Sequence, residues 1–356
     1  MKFNKLFYYE ESQKMSKKIK FRKYIKRNNI KIYKHQEKYC KVKKIILIFI
    51  LILMHILISF KLSNLSNLSN IKVCLCTVGK LENKYIREFV EYYKKYHIDK
   101  IFLYDNNEFN GEKFEDVIGD YISNNYVEII NKRGKRGNLI NIMDNCYQNN
   151  HNNYDWLIFY EIDEFIYLKN FNSIKTFLNQ TKFEKCDSIQ LNWVHRSDGN
   201  NLYYQKKPLQ ERFPEKGKNV VKNKYNPICN IKTIVKGHLS NIIITDNHFL
   251  SKNLKACNAL GNILEKIQVL SLDPDYENYY INHYYGKSTE EFANKILRGD
   301  ILRGTHKGIN NYQVYKYFVI NEITAEKLKY LEKTLGSRID LENYWKLLDK
   351  NKTLRN

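Results

Sequence analysis

The apolar pattern along the chain changes period partway through. From Ile45 to Phe60 the run IILIFILILMHILISF is apolar on every face, carries no formal charge, and is bracketed by Lys43, Lys44 and Lys61. Sixteen helical residues reach about 24 Å, slightly short of a ~30 Å hydrocarbon core, a gap that snorkelling lysines and local bilayer thinning can close. The run therefore predicts a transmembrane signal anchor over 45–61. A cleaved signal peptide fits less well, because the preceding segment is long and no small-x-small cleavage site follows.

Beyond it the repeat LSNLSNLSN (62–70) is polar and low in complexity, as a stem would be. Short apolar strands then alternate with amphipathic stretches. KVCLCTV (72–78) reads as a strand, and Gly79 opens a loop to LENKYIREFVEYYKKYH, where Ile86, Phe89, Val90 and Tyr93 fall at i, i+3, i+4 and i+7. KIFLYDNN is a strand ending in a polar turn. A helix near 113–123, strand YVEII (126–130), a helix near 138–149 and strand WLIFYEID (156–163) continue the alternation. Such order predicts an α/β fold with a mostly parallel, Rossmann-like sheet flanked by helices, binding its ligand at the carboxyl ends of the strands. The second half is less regular: SIQLNWV (188–194) and CNIKTIVK (229–236) read as strands, Ser288 and Glu291 form a capping-box signature, and two helices follow near 311–320 and 323–335. The expected organisation is a basic tail (1–44), the anchor (45–61), a stem (62–71), one domain (72–340) and a C-terminal tail (341–356).

Charge adds an orientation. The formal net charge is +22, and residues 1–44 hold 16 Lys and Arg against 3 Glu, so more than half of the excess lies beside the apolar run. No nucleic-acid-binding motif accompanies it, and a membrane explains it better than nucleic acid does. The positive-inside rule puts the tail in the cytoplasm and everything after Lys61 across the membrane, which is single-pass type II topology. Glycosylation acceptor patterns at Asn64, Asn67, Asn179 and Asn351 agree, although an Asn-rich chain produces them by chance. Of seven cysteines, Cys40 precedes the run and Cys74, Cys76, Cys146, Cys186, Cys229 and Cys257 follow it, which permits three disulfides without fixing any. Cys74 and Cys76 read as alternating strand residues.

The candidate chemistry sits at strand ends. Glu161-Ile162-Asp163-Glu164 follows a fully apolar strand, and three carboxylates so close repel unless they face water, a cation or donors. In extended geometry Glu161 and Asp163 share a face and offer two oxygens to one hard divalent ion, with Glu164 pointing away. An ordinary acidic turn is the competing reading. Asp105, with Asn106 beside it, ends another strand, where a carboxylate can accept a base N–H or a ribose hydroxyl or simply close an Asx turn.

The ordered blocks CTVGKLENKYIREFVEYYKKYHIDKIFLYDNN, DWLIFYEIDEF, LNWV…ERF and INHYYGKSTEEFANKILRG, spanning Lys72 to Gly304, resemble glycosyltransferase family 92 and its family 2-like relatives. The resemblance implies a GT-A fold, a nucleotide-sugar donor (a UDP-sugar, with galactose suggested), Mn²⁺ or Mg²⁺, inverting transfer to a glycan or glycoconjugate acceptor, and a Golgi or ER lumen if the source is eukaryotic. It places Asp105 and Asn106 at the nucleoside and Asp163 on the metal. Glu161 stands where the family prefers Asp, which leaves its contact open. His283 is similar to the C-terminal histidine that completes metal or phosphate binding in many such enzymes, with a core histidine as the alternative and His248 as a weaker candidate. Lys287, Arg298 and Arg303 can add positive charge at the leaving group. Glu211 in QERF is preferred over Asp198 in HRSDG as the base. Trp193 is either a sugar platform or a core residue. Two other functions fit the chain: a cytoplasm-facing, bacterial-type family 2 glycosyltransferase, and a non-catalytic, membrane-tethered interaction protein.

Overall fold

The computed structural model describes residues 71–134, 139–218, 230–240, 254–265, 274–299 and 307–353, the helix at 41–59, and single positions at 242, 271 and between 15 and 39. The expectations resting on residues 62–70, on Cys40 and Cys229, and on His248 and Arg303 lie outside them.

Residues Met1–Asn67 form one unit, in which the continuous described element is helix α1 (Lys41–Ser59). It is 19 residues long with a mean hydropathy of 2.4 and buries none of its apolar window, so by length and composition it can cross a membrane. At 1.5 Å per residue it measures about 28 Å, close to the hydrocarbon thickness, because it starts within the flanking lysines.

Residues Leu68–Asn356 form the second unit, a mixed α/β fold. Strands β1 (Val73–Gly79), β2 (Lys100–Asp105), β3 (Val127–Asn131) and β4 (Trp156–Phe159) run parallel in the order β3-β2-β1-β4. Helices α2 (Asn83–Lys95), α3 (Glu115–Ser123) and α4 (Leu139–Asn150) connect them. Alternation along β1 divides the core into two layers: Val73 and Leu75 pack with Ile86, Phe89, Val90 and Tyr93 of α2, while Cys74, Cys76 and Val78 face Ile142, Met143 and Tyr147 of α4. A disulfide from Cys76 to Cys146 ties β1 to α4, and a second joins Cys186 to Cys257.

Beyond β4 the sheet becomes mixed. Strand β5 (Glu164–Leu168) pairs antiparallel with β9 (Tyr279–His283), which runs parallel to β6 (Ser188–His195). Strand β7 (Ile231–Lys236) lies antiparallel between β4 and β6, and short β8 (Ala256–Asn258) flanks β6. Helix α6 (Leu209–Arg212) is a single turn. A third cluster assembles α7 (Thr289–Arg298), α8 (Lys307–Ile320), α9 (Ala325–Leu335) and α10 (Glu342–Thr353).

Three local expectations change. The strand expected over 156–163 ends at Phe159, and the next residues turn, with Glu164 N–H bonded to Glu161 O at 3.0 Å. Strands β5 and β9 carried no clear alternation signal. Residues 341–356, expected as a tail, contain α10, whose Tyr344, Trp345 and Leu348 pack onto the helical cluster.

Candidate active site

The parallel strands end in register, with Gly79 beside Asp105 and Asp105 beside Asn131, so the loops that follow gather at one edge. Close packing holds that edge: a Cβ on Gly79 would lie 2.5 Å from the Phe114 ring and 2.7 Å from Ile162. Ile162 belongs to the turn between β4 and β5, which presents the acidic residues.

That turn departs from the extended pair expected from sequence. Glu161 gives one carboxylate oxygen, Oε1, to Lys232 Nζ of β7 at 2.7 Å. Glu164 does not point away: it is fully buried, accepts Glu161 N–H at 3.0 Å and lies 3.3 Å from the same ammonium. Burial raises the Glu164 carboxyl to about 8, against the pull of Lys232. Burial also opposes charge on Glu161, but Lys232 outweighs it and lowers that carboxyl.

Asp163 meets a different set. Its Oδ2 accepts Lys295 Nζ at 3.1 Å and lies 3.7 Å from Lys287 Nζ, while Oδ1 is buried without a hydrogen-bond partner, 3.6 Å from His283 Nε2. Burial resists its ionisation, yet Lys295, Lys287 and His283 together hold the carboxyl well below its usual range. His283 ends β9 opposite Glu164 and His195. Burial pushes its imidazole well below 6.5, so it is neutral and offers a lone pair.

Helix α7 delivers the lysines. Its Ser288–Glu291 capping box fixes the first turn. Lys287, immediately before the cap, is buried with φ +54°, a left-handed conformation that costs a non-glycine residue about 1–2 kcal/mol. Lys295 also bonds Tyr285 O at 3.2 Å, and Arg298 donates to Lys80 O and the Glu82 carboxylate in the β1–α2 loop. Between that loop and α7 opens a cavity of about 410 Å³, lined by Glu82, Tyr85, Lys287, Lys295 and Arg298 among others. Glu291 itself takes both ends of Arg212, at 2.7 and 2.9 Å, which joins the ERF and STEEF segments of the sequence.

Of the expected site residues, the structure brings together Glu161, Asp163, His283 and Lys287. Asp105 and Asn106 lie at the adjacent strand end, but Asp105 is engaged locally. Its Oδ1 accepts Asn107 N–H and Nδ2 at 2.9 and 2.8 Å, the Asx turn, and its Oδ2 accepts Arg133 Nε at 2.7 Å. Asn106 Nδ2 donates to Lys132 O at 3.1 Å. The two candidate bases stand in other settings. Glu211 on α6 is exposed and pairs with Lys207 at 3.3 Å. Asp198 is buried against the C-terminal helices, with Lys327 Nζ at 2.6 Å and the Tyr317 hydroxyl at 2.7 Å. Trp193 is buried, its ring 4.2 Å from that of His283. Sequence reasoning missed Lys232, Lys295 and Lys316. Lys232 left a trace, a charge second in a strand whose first five residues are all buried.

Among the described residues no group of three or more His, Cys, Asp or Glu converges on a point where a metal ion would sit. Asp163 Oδ1 and His283 Nε2 face each other at 3.6 Å as two donor atoms, while Glu161 gives one of its oxygens to Lys232. A hard divalent ion with few protein ligands is a familiar arrangement when substrate phosphates complete its shell, so these two atoms fit such an ion as a partial seat.

A small acidic turn at the carboxyl end of a parallel sheet, ringed by Lys232, Lys287 and Lys295, is a setting that suits an anionic ligand. The chain belongs to glycosyltransferase family 92, whose sequence model matches residues 69–331. A search of curated proteins finds no match. Among solved structures the fold is similar to TarS of S. aureus, at 12% identity and a TM-score of 0.34 over 75% of this chain and 48% of that one. It is also similar to the TarS 1–349 fragment with UDP-GlcNAc, at 10% identity and 0.32 over 75% and 80%. The chain thus spans about half the length of the TarS chain, and at these scores the likeness supports no inference about site or substrate.

Proposed function

We propose that this protein transfers a sugar from a nucleoside-diphosphate donor, a UDP-sugar in the first instance, to a glycan or glycoconjugate acceptor, by an inverting, metal-assisted reaction centred on Asp163. The observation that carries this reading is the free Asp163 Oδ1 beside the neutral His283 imidazole, with Lys287 and Lys295 on the other carboxylate oxygen. Asp163 and His283 would hold the ion, which when bound supplies a Lewis acid that offsets charge building on the departing diphosphate. Lys287 and Lys295 border the cavity and are free to exchange Asp163 for phosphate oxygens, adding charge where the leaving group develops it. The Lys232–Glu161–Glu164 group fixes the turn so that Asp163 keeps its orientation. As acceptor base we retain Glu211, whose carboxylate is accessible, over Asp198, which is consumed by Lys327 and Tyr317.

We further place the domain on the lumenal side of a membrane, anchored by α1. Two disulfides in the domain support an oxidising compartment, and the basic flank of α1 supports the type II orientation.

The test is hydrolysis of a panel of nucleotide sugars by the full chain in detergent, with Mn²⁺ or Mg²⁺ and with chelator, beside Asp163→Asn. Turnover of one donor that needs metal and falls at least a hundredfold in the variant is expected. A folded protein that turns over and binds no donor under any of these conditions would return the chain to the tethered-interaction reading.

A further inference from the structure

Four lysines are buried among the described residues: Lys232, Lys287, Lys316 and Lys327. Three have acids. Lys232 sits on Glu161 and Glu164, Lys287 lies near Asp163, and Lys327 sits on Asp198. Lys316, on α8, has none. The residue is 7% exposed, and its Nζ makes no ion pair or hydrogen bond among the described residues and instead lies over two aromatic faces, 4.3 Å from the Tyr285 ring centre and 4.5 Å from that of Trp193. Aromatic faces stabilise a cation but replace only part of its lost hydration, so a buried ammonium held this way retains an unmet demand for an anion.

Its place in the fold says which anion. Tyr285 carries a second ammonium, Lys295 at 4.4 Å, whose other partner is Asp163 Oδ2. Trp193 packs on His283, the imidazole next to Asp163 Oδ1. Lys316 is therefore one ring away from both arms of the proposed donor seat, and the titratable groups around it come from every neighbouring element. These are Glu161, Asp163 and Glu164 from the β4–β5 turn and β5, Lys232 from β7, His195 from β6, His283 from β9, and Lys287 and Lys295 from α7 with the residue before it. All three acids in that set are already claimed by lysines.

We propose that Lys316 is an anion receptor for the donor diphosphate, acting with Lys295 across Tyr285, and that its ammonium acquires its counter-charge only when the nucleotide binds. The proposal rests on the donor-site reading above and adds to it a residue from the C-terminal helices, which would couple the packing of α8 to occupancy of the site. A role limited to ring stacking makes the opposite forecast, which allows a clean separation.

Lys316→Met keeps the length and the apolar stem and removes the charge. The full chain in detergent is titrated calorimetrically with UDP, GDP and the matching nucleosides in the presence of Mn²⁺, and melted without ligand. Expected for Lys316→Met are an unchanged or higher ligand-free Tm, a nucleoside-diphosphate Kd at least tenfold weaker, and an unchanged nucleoside Kd. A lower Tm with an unchanged diphosphate Kd makes Lys316 a structural stacking residue and overturns the proposal. Failure of both Lys316→Met and Lys316→Gln to fold overturns it in the same way. If the wild-type chain binds neither diphosphate, the donor-site reading falls and this proposal with it, a failure visible without any variant.

Discussion

The Arg212–Glu291 pair offers the most quantitative perturbation. Both side chains are buried, the guanidinium binds the carboxylate through two nitrogens, and Tyr85 Oη and Ser288 Oγ donate to the same group at 2.7 and 2.6 Å. Burial alone would raise the Glu291 carboxyl, but these bonds, Arg212 first among them, hold it down at about 2 against an ordinary 4.5. A depressed folded-state value stabilises the protein fully above the unfolded value, and that contribution is lost as pH falls from about 4.5 through about 2. The shift corresponds to about 3 kcal/mol, or roughly 6–12 °C in Tm for a domain of this size. Glu291→Gln should therefore be less stable than wild type at pH 7 by up to that amount, and the gap should shrink steadily between pH 4.5 and pH 3. Arg212→Met, which leaves the acid buried and unpaired, should cost more at pH 7, about 3–5 kcal/mol. Urea unfolding at a series of pH values measures all three proteins. A gap between wild type and Glu291→Gln that stays constant from pH 7 to pH 3 would refute the assignment of that stability to an ionised Glu291.

Gly79→Ala should destabilise the domain by about 1–3 kcal/mol through overpacking against Phe114 and Ile162, and should lower donor turnover more than its thermal shift alone explains, because Ile162 adjoins Asp163. Cys76→Ser, which opens a link of sequence separation 70, should cost about 2–5 kcal/mol, and dithiothreitol should lower the melting temperature of the wild-type protein by a similar increment. Glu164 should govern nucleotide affinity on the alkaline side: its folded value of about 8 keeps it largely neutral at pH 7. Ionisation above pH 8 adds a negative charge to the seat, so UDP binding should weaken there and Glu164→Gln should flatten that decline. An identical decline in the variant would move the titration to another group.

The parallel half of the fold was legible because its signals are local. The stripe of Ile86, Phe89, Val90 and Tyr93 and the alternation through Cys74 and Cys76 each name a face, and both faces exist in the core. The mixed half was not, because β5 and β9 are buried strands rich in aromatic residues whose pairing with one another spans more than a hundred positions. The acidic cluster was legible and its geometry was not. EIDE marks a turn at the carboxyl end of β4, but an i, i+2 argument holds only in an extended chain, and the bond from Glu164 N–H to Glu161 O turns the chain instead. The lysines that decide which acid is free arrive from β7, α7 and α8, and no local pattern reports a partner so distant in sequence. Asp105 shows the same limit in reverse, since the Asx turn and Arg133 claim a carboxylate that looked available.

The arrangement of charge explains why the acids alone are a poor guide to this centre. Four lysines, Lys232, Lys287, Lys295 and Lys316, surround three carboxyls; burial raises Glu164 to about 8, leaving it largely neutral at pH 7, and lowers Lys316 to about 7, leaving it about half charged there. These side chains therefore carry surplus positive charge in a buried setting, an arrangement that disfavours a lone divalent cation and favours an anion. A metal ion held only by Asp163 and His283 would add to that surplus, whereas an ion that arrives with a diphosphate would not. If the proposed function holds, charge balance favours metal and donor entering together, with Lys287 and Lys295 able to turn from Asp163 to the phosphates. The same balance gives Glu161 a role: paired with Lys232 through Oε1 it anchors the turn, while Asp163 Oδ1, buried without a hydrogen-bond partner, faces His283 rather than a lysine.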